Sequence, residues 1–428
     1  MIKPIFCMIM RGKVKMNKKR VLIISLILIF LAVCAVICTC VVLQKNKIQA
    51  STLNIAFYDS DKSIENAITS LVEDFGQANQ KTVNFYTIDK ETELSAQIKK
   101  NKLDVIIAPA GYAVKKAVAV AGQNAGAPQN SLAQMFSSVQ QSAFTKNGNL
   151  AAVPLVFDNL EINIEMSAFY MSGMEAIATW KDIEQFVQGQ KTKIDYPVSF
   201  AGAEPVFLLD LIGALGEALD GYDAYNKAAQ ILIQSVAAGA SGFDARQTAN
   251  ELFIVPDAPL AYSLYYLKQM LKNGYVTPAS RELKHTDINS YITQRVTNLF
   301  FTTLLVHRTY DVKAVERFGS IYVPSDTSPS QRHFTSTITY AVPVSATKKQ
   351  STDSLIEYLV SAQTQGKLSD LIGLAPVLAN CSTCDKQADD ARFWVAATST
   401  PLAGLGHEAE LSDVQKTQLC DAIWELLY

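Results

Sequence analysis

Acidic residues are missing from the start of this 428-residue chain: no Asp or Glu precedes Asp59, while nine basic residues lie at or before Lys47. The remainder carries 29 basic against 40 acidic residues. A cationic nucleic-acid binder is excluded as a reading of that acidic part. Histidine is scarce, with only His285, His307, His333 and His407, and none has a second His at metal-ligand spacing. His407-Glu408 opens like a zinc-protease helix but lacks the second His. No G-x-S-x-G elbow, phosphate loop or G-x-G-x-x-G box is present, so no catalytic constellation, metal site or cofactor is expected. Lone histidines of this kind are usually surface or hydrogen-bonded core residues. Cysteine is equally sparse beyond residue 50: Cys381, Cys384 and Cys420. A single Cys-x-x-Cys without a partner pair favours a local disulfide or inert thiols over a zinc site.

What is present begins with a long apolar run. Residues 21–43 hold no charge, enough helix to cross ~30 Å of hydrocarbon. Seven cationic residues precede the run and only Lys45 and Lys47 closely follow it, which places the N-terminus in the cytoplasm and the bulk of the chain outside. Met16 begins a segment that reads as a more natural export start than Met1. Three outcomes stay open: an uncleaved anchor, a lipoprotein with Cys34 as the lipidated residue of Leu31-Ala32-Val33-Cys34, and a cleaved signal. The expected location is the extracytoplasmic side of a bacterial envelope, with the folded part tethered through residues 21–43 or a lipid on Cys34.

From residue 52 strands and helices alternate. Residues 52–57, 83–88 and 103–108 read as strands, and residues 63–77 and 91–100 as helices. That order implies an α/β fold with a parallel sheet, whose ligands sit at the carboxyl ends of its strands. A loop covers residues 122–131 and a largely helical middle runs from 166 to 315. A strand returns at 336–344, followed by a helix at 352–361. The aromatic residues Tyr262, Tyr265 and Tyr266 have the i, i+3, i+4 spacing of a packing face.

Residues 261–278, AYSLYYLKQMLKNGYVTP, form an amphipathic helix stopped by Gly274 and kept from restarting by Pro278. This helix-plus-turn resembles a signature of the extracellular solute-binding proteins of ATP-binding-cassette importers. Three further segments follow in that family's order. Residues 152–159 leading into 162–169 are similar to its first crossing between lobes. Residues 338–345 and 354–359 are similar to its returning strand and helix, and Leu374-Ala375-Pro376-Val377 to its closing segment.

The resemblance implies a two-lobed, type II periplasmic-binding-protein-like fold preceded by one hydrophobic helix. Its parts are a leader over residues 1–50, a first lobe from 51–155 with 340–377, and a second from 158–337 with 378–428. It implies a non-enzymatic protein that captures a small solute, a carbohydrate above all, and delivers it to a permease. A tethered receptor or adhesin without a transport partner, or an exported hydrolase, are the alternatives.

Within the family the maltose-binding-like cluster is the nearest in pattern. By that resemblance Asp59, Asp61 and Lys62 follow the first strand into a sugar-contact loop, and Tyr112 follows the third strand. Asp158 and Asn159 sit at the crossing, and Glu204-Pro205-Val206-Phe207 resembles a sugar-contact segment contributing Glu204 and Phe207. Where a Trp is usual, this chain has His307, Arg308 and Tyr310 instead, a departure that argues against a maltodextrin; Arg308 favours an anionic or smaller ligand if it points into the cleft, and by default reads as a surface residue. Carboxylates and a Lys suit sugar hydroxyls, and aromatic rings suit apolar sugar faces. Asp59 and Asp61 also fit as caps of the helix that begins near residue 63.

Overall fold

The computed structural model describes residue 31 and residues 52–428 apart from 123–124, 238–241, 327–331 and 335–336. The expected membrane run, Leu31 excepted, and the lipidation candidate Cys34 lie outside the described residues. Among the described residues no helix is long and apolar enough to cross a membrane.

Apolar residues at helical and strand spacing produce the expected opening elements. They are β1 (Thr52–Phe57), α1 (Lys62–Ala78), β2 (Thr82–Thr87), α2 (Leu94–Asn101), β3 (Val105–Pro109) and α3 (Tyr112–Val120). Asp61 caps α1 by accepting from the Ser63 N–H at 2.7 Å. The fully apolar β3 is buried along its whole length, as a central strand must be.

Two longer strands follow, β4 (Asn149–Asp158) and β5 (Leu160–Glu165), then α4 (Met166–Ser172), β6 (Val198–Ser199), α5 (Pro205–Leu215) and α6 (Ala261–Lys272). Gly274 ends α6 at φ +68°, as its sequence position predicts. Of the three tyrosines expected to pack, only Tyr266 is buried; Tyr262 and Tyr265 are exposed and stack on one another at 6.1 Å. The i, i+3, i+4 stripe is therefore split between core and solvent.

The chain continues through β7 (Leu299–Thr303), β8 (Phe318–Tyr322), β9 (Thr337–Pro343), α7 (Lys349–Leu359), β10 (Ala375–Pro376), α8 (Lys386–Ala397) and α9 (Asp413–Leu427). The first sheet has the order β10-β4-β9-β3-β1-β2, with a short strand at Phe144–Lys146 added to β4. β1 and β3 are parallel, as expected, but β9 runs antiparallel to both β3 and β4, so the sheet is mixed. The second sheet has the order β6-β7-β5-β8.

Residues 53–428 form one compact unit with two hydrophobic cores. The first packs Ile55, Ile106, Phe157, Tyr340 and Ile356, and takes Ala388 and Val395 of α8. The second packs Ile162, Trp180, Leu208, Phe300 and Trp424, whose indole N–H donates to the Gly202 carbonyl at 3.1 Å.

Candidate functional site

β4 and β5 are consecutive strands in different sheets. Asp158, the last residue of β4, pairs with Thr337 in the first sheet, and Leu160 pairs with Thr303 in the second. Asn159 alone spans the crossing. The next turn of chain, Leu304–His307, is tied to it: the Leu305 N–H donates to Asp158 Oδ1 at 2.9 Å and the Leu304 N–H to the Asn159 carbonyl at 3.0 Å.

The crossing is buried and rich in carboxylates. Burial pushes Asp158 up to about 7, although bonds from the Leu305 N–H and the Thr303 hydroxyl pull the other way; the charges of Glu161 and Asp61 add to the rise. Asp61 is thereby within electrostatic reach of Asp158. Both polar atoms of the Asn159 amide, and Glu161 Oε2, are buried without a partner among the described residues. Glu161 Oε1 is held by the His307 imidazole and by the Asn163 amide at 3.1 Å. Each such orphaned group costs about 1–3 kcal/mol unless a bound polar molecule takes it up.

The wall continues across the second sheet. Glu204 is the N-cap residue of α5, with Pro205 at the first helical position, yet its half-buried carboxylate makes no capping bond. Phe207, one turn on, meets the His285 ring edge-on at 5.0 Å, and His285 Nδ1 lies 3.3 Å from the Tyr310 hydroxyl. Burial keeps His285 neutral down to about pH 4. Burial first, then the charges of Glu161 and Glu204, push the Tyr310 phenol up, so both carboxylates are near that hydroxyl.

At the carboxyl ends of β1 and β3 the arrangement differs. Asp59, at φ +57°, accepts from the Tyr112 hydroxyl and pairs with Lys90 at 2.5 Å. Burial alone would raise its carboxyl, but the Lys90 and Tyr112 bonds outweigh it and hold the group below the usual carboxylate range. The chain around His407 lies directly against this end: a Cβ on Gly111 would collide with the His407 carbonyl. Lys115 pairs with Glu408 and Lys116 with Glu410, each at 2.5 Å, and the Tyr58 hydroxyl donates to Glu410 at 3.3 Å.

The residues expected to form a site therefore fall into groups. Asp158 and Asn159 form the crossing, Phe207 beside Glu204 reaches Tyr310 through His285, and Asp61 caps α1 from an exposed position within electrostatic reach of Asp158. Asp59 and Tyr112 bind each other. Lys62 is exposed and pairs with Glu65 at 2.6 Å. Arg308 is not a free surface residue: it donates to the Gly373 carbonyl at 2.9 and 3.1 Å, to Gln387 at 2.7 Å, and pairs with Asp385.

Sequence reasoning passed over Lys90, Glu161, His285 and His307 as site residues. Glu161 alone left a local signal, a carboxylate in the second position of the strand LEINIE, whose first, third and fifth residues are apolar. Among the described residues no three His, Cys, Asp or Glu side chains group to hold a metal, and Cys381, Cys384 and Cys420 are free thiols. As chemical types, the candidate site residues supply acceptors, an amide and two aromatic rings, a set suited to a neutral polyhydroxylated ligand.

No family model and no curated protein sequence matches this chain. Solved structures do. The structure is similar to AcbH, a bacterial solute receptor described as having an exclusive preference for β-D-galactopyranose, at 12% identity over 87% of this chain and 96% of that one, with a TM-score of 0.65. It is similar to RafE of Streptococcus pneumoniae at 14% identity over 88% and 96% of the two chains, TM-score 0.62. A probable secreted solute-binding lipoprotein of Streptomyces coelicolor aligns at 9% identity over 88% and 97%, TM-score 0.63. The α/β fold is that of these solute-binding proteins.

Proposed function

We propose that this chain is an extracytoplasmic solute-binding protein that captures a carbohydrate between two lobes and presents it to an ATP-binding-cassette permease. The observation that carries the reading is the crossing: one residue separates the two sheets, and buried polar groups of Asn159 and Glu161 stand unpartnered beside it. The fold supports it, since AcbH and other structures that share it are named as sugar receptors, and one of them as a secreted lipoprotein. This reading assigns residues 51–155 with 340–377 to one lobe and residues 158–337 with 378–428 to the other. Membership of Ala388 and Val395 in the first core favours moving residues 378–395 to the first lobe. Hinge closure about Asp158–Asn159 brings Asp61 toward Glu204 and Phe207. No covalent step is needed, and the protein acts by binding alone. Tethering through residues 21–43 or a lipid on Cys34 keeps the lobes at the outer face of the membrane.

Thermal-shift screening against galactose, raffinose, chitin oligosaccharides and other sugars tests this. A ligand at 100 times its dissociation constant adds ~2.7 kcal/mol of stability. Removing one hydrogen-bonding carboxylate should cost roughly 1–3 kcal/mol, about a ten- to hundredfold loss of affinity. Calorimetric titration of Asp61→Ala and Glu204→Ala with the sugar found should show that loss with unchanged unfolding. Parent-like binding by both variants would remove the assignment of the site, and no response to any sugar would remove the carbohydrate reading.

A further inference from the structure

A cavity of about 720 Å³ runs beside β8, the edge strand of the second sheet. It touches the candidate residues at His307, Arg308 and Tyr310. Its floor reaches Ile164 and Met166, and Ile164 lies four residues along β5 from Leu160, roughly 13 Å at strand rise. The volume lies within the ~300–1,000 Å³ typical of small-molecule sites.

Its walls are apolar: Met166, Phe169, Ile177, Val312, Val315 and Phe318. One end is polar and uncharged. There Ser320 donates to Asn163 Oδ1 at 2.7 Å and accepts from Gln387 Nε2 at 3.0 Å, and Gln387 Nε2 lies 3.2 Å from His307 Nε2. Such a chain of hydroxyl, amide and imidazole can re-pair with one incoming hydroxyl, because each member both gives and takes hydrogen bonds. The cations of the lining are engaged elsewhere. Arg308 is bound to Gly373, Gln387 and Asp385, and Lys386 projects into solvent beside Asp390 at 3.4 Å. The carboxylates of Glu316 and Asp390 belong to the same lining and repel an anionic head, which a neutral hydroxyl avoids.

We propose that this cavity is a second binding site, adjoining the solute cleft at His307, Arg308 and Tyr310, for an uncharged amphiphile with an apolar body and one hydroxyl head. The inference rests on the cavity alone and stands whether or not a sugar binds at the crossing.

The test uses the full chain and the photoreactive probe 4-(trifluoromethyl-diazirinyl)benzyl alcohol, with adducts mapped by mass spectrometry. Adducts are expected on residues 164–177 and 312–318, reduced at least fivefold by excess unlabelled benzyl alcohol. Val312→Trp, at an exposed position that lines the cavity, should fill it and reduce those adducts at least fivefold while thermal unfolding stays unchanged. Ser320→Ala should weaken competition by benzyl alcohol but not by toluene, which has no head group. Adducts confined to residues 21–43 or scattered over the surface, or undiminished in Val312→Trp, would overturn the proposal.

Discussion

Asp158, buried at the crossing, and His285, half-buried against Phe207 and Tyr310, couple stability to pH in opposite senses. Burial raises Asp158 to about 7, so the fold retains a proton that the unfolded chain has already lost. Its contribution is intact below the ordinary carboxylate range and is lost as pH rises from about 4 to 7. Asp158→Asn keeps the acceptor for the Leu305 N–H without the charge. It should therefore melt a few degrees above the parent at pH 8, an advantage of about 1–3 kcal/mol, and match it near pH 4. Equal melting temperatures at pH 8 would show that the fold does not raise the Asp158 carboxyl above its ordinary range. For His285 the fold refuses a proton that the unfolded chain takes up near pH 6.5, so stability falls as pH drops from there to about 4. Thermal unfolding of His285→Gln across that window should show a flatter slope than the parent. Motif resemblance singled out the carboxylates at Asp61, Asp158 and Glu204 as candidates. Their neighbours Glu161, His285 and His307 were not, because strand pairing and the turn after β7, not sequence spacing, bring them together.

At the scale of elements, glycine marks where local sequence dictated geometry and where it did not. Gly274 at φ +68° stops α6, and the only atoms a Cβ would meet are at the tip of Lys191, from 3.0 Å. Gly274→Ala should cost ~1 kcal/mol, mainly from the left-handed backbone, as read by denaturant titration. Gly111, at φ +90°, faces the His407 carbonyl with no space for a Cβ. Gly111→Ala should cost more than ~2 kcal/mol by the same measurement, since backbone strain and displacement of the His407 segment add. A cost no larger than that at Gly274 would mean the segment yields freely. The first site was readable, a Gly at the end of an apolar period with a Pro beyond. The second was not, because its partner lies almost 300 residues away.

For the whole molecule, the mixed sheet makes residues 51–155 incomplete alone. β9 sits between β3 and β4 and hydrogen-bonds both. A fragment lacking it leaves two strand edges open and exposes Ile107 and Val153 of the first core. Limited proteolysis should therefore not release 51–155 as a folded, soluble product, and recovery of one would refute the discontinuous lobe arrangement proposed above.

Alternation and helical periodicity, read over windows of six to twenty residues, determined β1, α1, β3, α6 and β9, and the order of segments pointed to the two-lobed solute-binding pattern. These are local energies: a strand shows alternate side chains to one face, a helix buries every third or fourth, and neither needs knowledge of the partner. Tertiary structure decided the rest. It placed β9 antiparallel in the middle of the first sheet, turned Arg308 onto the Gly373 carbonyl, joined Asp59 to Tyr112 and Lys90, and left Asn159 and Glu161 with unmet polar atoms. Each of these depends on desolvation and pairing between segments tens to hundreds of residues apart, and such energies exist only once the chain has closed around them.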